Sequence, residues 1–199
     1  MKKFIRFSII GFAILIIAAC SNNEQQGSNV ENNAGLGNVG DFSAITQSGE
    51  EFNVKDLEGS WWVADFIFTN CETVCLPMTA NMVQLQSMLE DEGFDDVKLV
   101  SFSVDPERDT PEVLTEYANE YGADLNRWTF LTGYDFATIK DYATGTFKNL
   151  VEEPPEGSDQ VTHATYFFLV DPNGNIVSHY SGTKPEQMAD IVNDLKKFQ

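Results

Sequence analysis

From Trp61 to Phe198 two hydrophobic rhythms alternate, and this alternation restricts the fold more than any other feature. WWVADFIF (61–68) and VKLVSFSV (97–104) are short, mostly apolar runs of the kind that form buried central strands. WTFLTG (128–133) reads as another short strand. Between and after them lie helical patterns. TANMVQLQSMLEDEGF (79–94) places Met82, Leu85, Met88 and Leu89 at helical spacing. TPEVLTEYANEYG (110–122) offers Thr110 as N-cap, Pro111 in the first turn and Gly122 at the end. DFATIKDYATG (135–145) is a shorter helix, and PEQMADIVNDLKKF (185–198) an amphipathic one. THATYFFLVDPNGNIVSHY (162–180) reads as two strands joined by a turn at Asp171-Pro172-Asn173-Gly174. Upstream, FSAITQSGEEFNV (42–54) forms a small hairpin turning at Ser48-Gly49. Strands alternating with helices predict an α/β fold, a central mixed sheet flanked by helices, with an added N-terminal hairpin.

The turn after the first long strand carries the chemistry. TNCETVCLPMTANM (69–82) holds Cys71 and Cys75, four apart, in a chain with one other cysteine. Cys71 follows the end of a central strand and Cys75 opens the next helix. Free N–H groups and the helix dipole favour a thiolate there. A thiolate is both the nucleophile of disulfide exchange and a ligand of soft metals. The familiar redox spacing has two intervening residues; this pair has three. The pair alone therefore leaves a structural disulfide, a redox dithiol and a metal site open. Strand, cysteine turn, helix is the order of the thioredoxin-like folds.

The N-terminus is a targeting segment. Lys2, Lys3 and Arg6 precede the apolar run SIIGFAILIIAA, and Cys20 follows it. The run is short for a stable transmembrane helix. Ile17-Ala18-Ala19-Cys20 resembles a bacterial lipobox, which implies cleavage before Cys20 and a diacylglycerol on its sulfur. The expected plan is a signal peptide at 1–19, a lipidated Cys20 with a flexible Asn/Gln/Gly-rich tether to residue 40, and one domain at 41–199. The domain is expected on the outer side of the cell membrane, lipid-anchored. Lipidation consumes Cys20, so the mature domain keeps two thiols in an oxidising compartment. Thirty-one acidic residues against 12 basic ones argue against nucleic acid as a partner. The excess suits a cationic ligand or a partner with a basic patch.

Histidine bears on the open choice. Of two histidines, His179 lies in NIVSHYSG and reads as surface. His163 directly precedes the apolar stretch ATYFFLV. In thioredoxin-like folds that stretch runs beside the strand leading to the cysteines, and its entrance approaches their turn. Thiol reductases of this fold usually have a proline there; this chain has Thr162-His163. An imidazole facing two thiolates makes a Cys₂His set suited to Cu(I), and to Cu(II) with a further weak ligand. VDPERDTPE (104–112) follows a strand at the same sheet edge. Its Asp105 and Asp109 can stand behind the ligands, contact a partner, or serve only turn and capping chemistry.

FTNCETVC, VDPERDTPE and THATYFFLVDPNG, in this order, resemble the Sco/SenC family, over about residues 41–199. The resemblance implies a membrane-tethered thioredoxin-like protein that binds copper and helps assemble the binuclear copper site of cytochrome c oxidase. It implies Cys71, Cys75 and His163 as copper ligands, and Asp105 and Asp109 as the family's DxxxD-type pair. The partner so implied is the copper-site subunit of the oxidase. In one departure, the family usually has proline directly after the second cysteine, whereas here Leu76 precedes Pro77. That alters the first helical turn and removes no ligand. A thiol–disulfide oxidoreductase that keeps the oxidase's ligand cysteines reduced is the second expectation, with a thiol reductase as a further partner. Thr69-x-Cys71 also hints at peroxide reduction of the peroxiredoxin type.

Overall fold

A computed structural model of the protein describes residues 36–198. The signal segment, Cys20 and most of the tether lie outside the described residues. Packing starts slightly ahead of the expected Asp41. Val39 is buried and its N–H donates to the Gly174 carbonyl (2.8 Å), while Asn38 bridges to Asn175.

The hairpin forms as read, from β1 (Ser43–Thr46) and β2 (Glu51–Asn53), with Gly49 at φ +81° in its turn. Then come β3 (Trp62–Ile67), α1 (Cys75–Asp91), β4 (Lys98–Ser103), α2 (Pro111–Tyr121), β5 (Trp128–Thr132) and α3 (Phe136–Thr146). β6 (Val151–Glu152), β7 (Thr162–His163), β8 (Tyr166–Val170), β9 (Ile176–Ser181) and α4 (Glu186–Phe198) complete the chain. The caps of α2 are the expected ones. Thr110 Oγ1 accepts the Val113 N–H, and Gly122 takes the left-handed conformation at φ +74°. The helical pattern legible from Thr79 extends back to Cys75; Pro77 fits in the first turn, where an N–H has no intrahelical partner.

Seven strands form one sheet in the order β2-β1-β5-β4-β3-β8-β9. β3, β4 and β5 run parallel; β8 pairs antiparallel with β3, and β1 antiparallel with β5. The sheet is mixed and flanked by helices, as expected. Its two faces bury separate sets. Ala64, Phe66, Val100, Phe102 and Phe168 pack with Ile139, Tyr142 and Phe147 around α3. Val63, Ile67, Leu99, Phe130 and Leu169 pack with side chains of α1, α2 and α4. Every residue of β3 is buried, including one carboxylate, Asp65. The run 162–170 is not one strand. β7 leaves the main sheet and pairs with β6, placing His163 opposite Val151. This two-residue pairing turns the imidazole toward the start of α1.

Candidate metal centre

Cys71 lies in the turn after β3 and Cys75 is the first residue of α1. Both are free thiols, and both are buried. The Cys75 backbone N–H donates to Cys71 Sγ at 3.4 Å. Val74, at the N-cap, supplies no side-chain bond. The Cys71 sulfur instead accepts from the first N–H of the helix, one of the groups without an intrahelical partner. His163 brings Nε2 to 3.5 Å from Cys75 Sγ. Its other nitrogen, Nδ1, lies 3.0 Å from the Ala164 carbonyl. A carbonyl only accepts, so Nδ1 carries the proton and Nε2 presents a lone pair to the sulfurs. Phe68 packs edge-on against the imidazole, with centroids 5.8 Å apart.

The two thiols are driven apart. The hydrogen bond from Cys75 pulls Cys71 far below the ordinary thiol range, against the opposing effect of burial; His163 and backbone N–H groups add to it. The same bond, with burial, pushes Cys75 far up. One thiolate and one thiol thus face each other beside the imidazole. The three ligand atoms lie within 4.8 Å of one another. Metal–ligand bonds of about 2.0–2.3 Å require ligand spacings of about 3.5–4 Å, so small adjustments close the set around one ion. Two soft sulfurs and an imidazole suit copper or zinc. The group opens onto a surface pocket of about 370 Å³ lined by Phe68, Val74, Pro155, Val161 and Thr165.

Asp105 and Asp109 part company. Asp109 is fully buried and lies in the turn's support. It accepts hydrogen bonds from Ser103 Oγ (2.5 Å), Thr69 Oγ1 (2.6 Å) and the Thr69 N–H (3.3 Å). It acts on the site through the backbone two residues ahead of Cys71. Burial raises its pKa. Asp105 pairs instead with Arg108 at 3.1 Å. Neither carboxylate belongs to the Cys–Cys–His group. Thr69 donates its hydroxyl proton to Asp109, which commits the group that had hinted at peroxide chemistry. His179 is exposed on β9, as read, edge-on to Tyr166.

Four contributors, Arg108, Asn70, Asp159 and Gln160, were not singled out from sequence. Arg108 Nη1 bonds the Asp159 carbonyl (3.2 Å), and Asn70 Nδ2 donates to Asp159 Oδ2 (2.9 Å). Gln160 donates to the Asn70 carbonyl (2.9 Å) and accepts the Glu72 N–H (3.1 Å). The 153–161 loop is thereby tied across the cysteine turn. No periodicity marks such contacts. Asp65 did leave a trace, a lone acid inside the apolar run WVADFI.

The SCO1/SenC family model matches residues 31–198. The chain belongs to the SCO1/SenC family. It is 40% identical over 195 residues to a SCO1 protein homolog of Bacillus subtilis (strain 168), covering 98% of this chain and 96% of the relative. It resembles BsSco, described as a member of the Sco family of cytochrome c oxidase assembly proteins and as carrying a disulfide switch. That structure shows a TM-score of 0.73 at 44% identity, covering 80% of this chain and 92% of the other. Arabidopsis thaliana ScoI, solved with copper bound, gives a TM-score of 0.70 at 28% identity, covering 82% and 99%. The fold is the thioredoxin-like one of these SCO1/SenC structures, as expected.

Proposed function

We propose that this chain is a membrane-anchored copper metallochaperone. It binds one copper through Cys71, Cys75 and His163 and assists assembly of the binuclear copper site of cytochrome c oxidase. One observation carries this reading: Nε2 of His163 and the two cysteine sulfurs lie within 4.8 Å of one another, with Nδ1 turned away to the Ala164 carbonyl. The copper-bound relative and the oxidase-assembly relative support it. Two thiolates and a neutral imidazole leave a Cu(II) centre with zero net charge and a Cu(I) centre with one negative charge. Joining the two sulfurs as a disulfide removes both anionic ligands, so thiol chemistry switches the site.

The asymmetry of the thiols favours a second activity at the same place. Cys71 thiolate attacks a partner's disulfide, and one partner sulfur leaves as thiolate. Cys75, once deprotonated, then attacks Cys71 sulfur and releases the partner as a dithiol. The chain ends with a Cys71–Cys75 disulfide. This is the chemistry needed to keep an oxidase subunit's ligand cysteines reduced.

Anchoring rests on the sequence of the first 20 residues. A Cys20→Ala chain should lose lipid modification and membrane fractionation while keeping copper binding; modification that persists would overturn the anchor. The decisive experiment titrates the reduced full chain in detergent with Cu(II), followed by visible absorption and EPR. One copper with thiolate-to-copper charge-transfer bands, lost in His163→Ala, supports the chaperone. Prompt disulfide formation with no stable complex favours the reductase.

A further inference from the structure

Asp65 stands at the centre of β3, fully buried, on the face covered by α1. Its surroundings form a short polar chain across three strands. Trp128 Nε1 donates to Ser101 Oγ (2.8 Å), and Ser101 Oγ donates to Asp65 Oδ1 (2.6 Å). The single hydroxyl proton of Ser101 is committed to Oδ1. Among the described residues, Oδ2 has no hydrogen-bond partner. A carboxylate left this way is costly, because one oxygen loses its hydration and gains nothing. Most buried polar atoms are satisfied, so the exception calls for a cause.

Titratable groups face Asp65 from three elements. Cys75 lies on α1, and an ionised Asp65 helps push its thiol pKa up. Tyr117 lies on α2, where its hydroxyl bonds Thr79 of α1 and also senses both Asp65 and Cys75. His163 lies on β7, where a protonated imidazole would pull Asp65 down. On α4, Asp194 is engaged elsewhere, with Tyr180 and Lys197. Tyr117 stays neutral because burial holds its proton. Asp65 is thus a buried acid without a fixed counter-charge, electrostatically linked to two of the three proposed ligands.

We propose that Asp65 is the proton site that compensates charge at the Cys71–Cys75–His163 centre, taking up a proton on Oδ2 when the bound copper is reduced and releasing it when the copper is oxidised. This rests on the copper reading above. The step balances. A soluble one-electron donor supplies the electron that converts Cu(II) to Cu(I). The centre goes from zero to one negative charge, and Asp65 carboxylate plus one proton from water becomes carboxylic acid. One O–H bond forms and none breaks within the protein. Burial supports the assignment by lifting the carboxyl to about 7, with the Ser101 bond acting against it. The additional negative charge of the Cu(I) form favours the carboxylic acid and raises the carboxyl further. The neutral Cu(II) form favours the carboxylate and lowers it. Reduction therefore takes up a proton in the range between the values of the two copper forms, around pH 7 and below, and none well above or well below that range.

The test uses the full chain in detergent, loaded with Cu(II) and titrated potentiometrically with one-electron mediators at a series of pH values. Charge-transfer bands verify loading at each pH. In the wild type, the equilibrium for reduction should weaken as pH rises toward about 7, by up to tenfold per pH unit, or about 59 mV. Above that it should level off. Asp65→Asn should be flat and match the wild type only at the acid end. Ser101→Ala keeps the carboxyl and removes the bond that holds it down, so its sloping region should move to higher pH. An infrared difference spectrum should show a carboxylic acid band in the Cu(I) state, absent in Asp65→Asn. A copper potential independent of pH in the wild type, or a slope retained in Asp65→Asn, would overturn the proton site while leaving the copper reading intact. A chain that binds no copper would overturn both.

Discussion

Replacing Asp109 with alanine should loosen the cysteine turn more than its distance from the sulfurs suggests. Its carboxyl holds two short hydroxyl bonds, to Ser103 at 2.5 Å and Thr69 at 2.6 Å, and a longer one from the Thr69 amide. Hydrogen bonds to a charged group contribute about 1.5–3 kcal/mol each, so the two short ones represent about 3–6 kcal/mol. Relief of burying the carboxylate offsets part of this. The net loss should be about 2–4 kcal/mol. Urea unfolding of the reduced, metal-free chain reads it directly. With a slope of about 1–3 kcal/mol per molar urea, the midpoint should fall by about 1–2 M. Asp109→Asn keeps the volume and one acceptor oxygen, and should lose roughly half as much. A double-mutant cycle with Thr69→Val should return a coupling of about 1–2 kcal/mol, because the pair touches. Copper affinity should fall by about 10-fold, since the ligands remain while the support behind them is gone. A variant within about 0.5 kcal/mol of wild type, with no coupling to Thr69, would refute the role.

Metal-free stability should fall as pH rises from about 4 to about 7. Folding raises the Asp65 pKa to about 7, so the folded state holds a proton that the unfolded chain has already lost. The contribution is complete below the unfolded value and gone above about 7, at most about 4 kcal/mol over three pH units. Asp65→Asn should remove that part of the slope in urea titrations; an unchanged slope would show that other groups carry it. Gly133→Ala should destabilise by more than about 2 kcal/mol in the same assay. The residue sits at φ +86°, and an added Cβ would approach Ile45 Cβ at 2.8 Å. Wild-type stability in that variant would mean that β1 shifts freely against the β5 end. His163→Ala should keep the fold by circular dichroism, because the half-buried imidazole contributes little core volume, while Cu(II) binding falls severely.

The parts legible in sequence are those with a local physical signature. Thr110, Pro111 and Gly122 bounded α2 because capping and backbone conformation are decided within a few residues. The hairpin at Gly49 was readable for the same reason. The Cys–Cys–His group was half legible: the cysteines by spacing, the histidine through resemblance to known proteins. What escaped depends on contacts distant in the chain. β6 and β7 are two residues each, too short for any period, yet their pairing aims His163. Asp109 was expected near the ligands, and its hold on Thr69, 40 residues away, follows only from the parallel packing of β3 and β4. Asp65 stood out as an acid in an apolar strand, but its orphaned oxygen is a property of the folded interior.

The sulfur at the head of α1 has a consequence for how this domain communicates. Most helices are finished at their first turn by an oxygen whose chemistry never changes. At this one the first N–H goes to Cys71, whose electron density changes with every event at the site. Oxidation or metal ligation draws on the same lone pairs that hold the Cys75 amide, so the helix end tightens or frays in step. Leu76 follows directly and stands half exposed, and it brings an amide hydrogen that a proline would lack. The first turn is therefore a dial as well as a support.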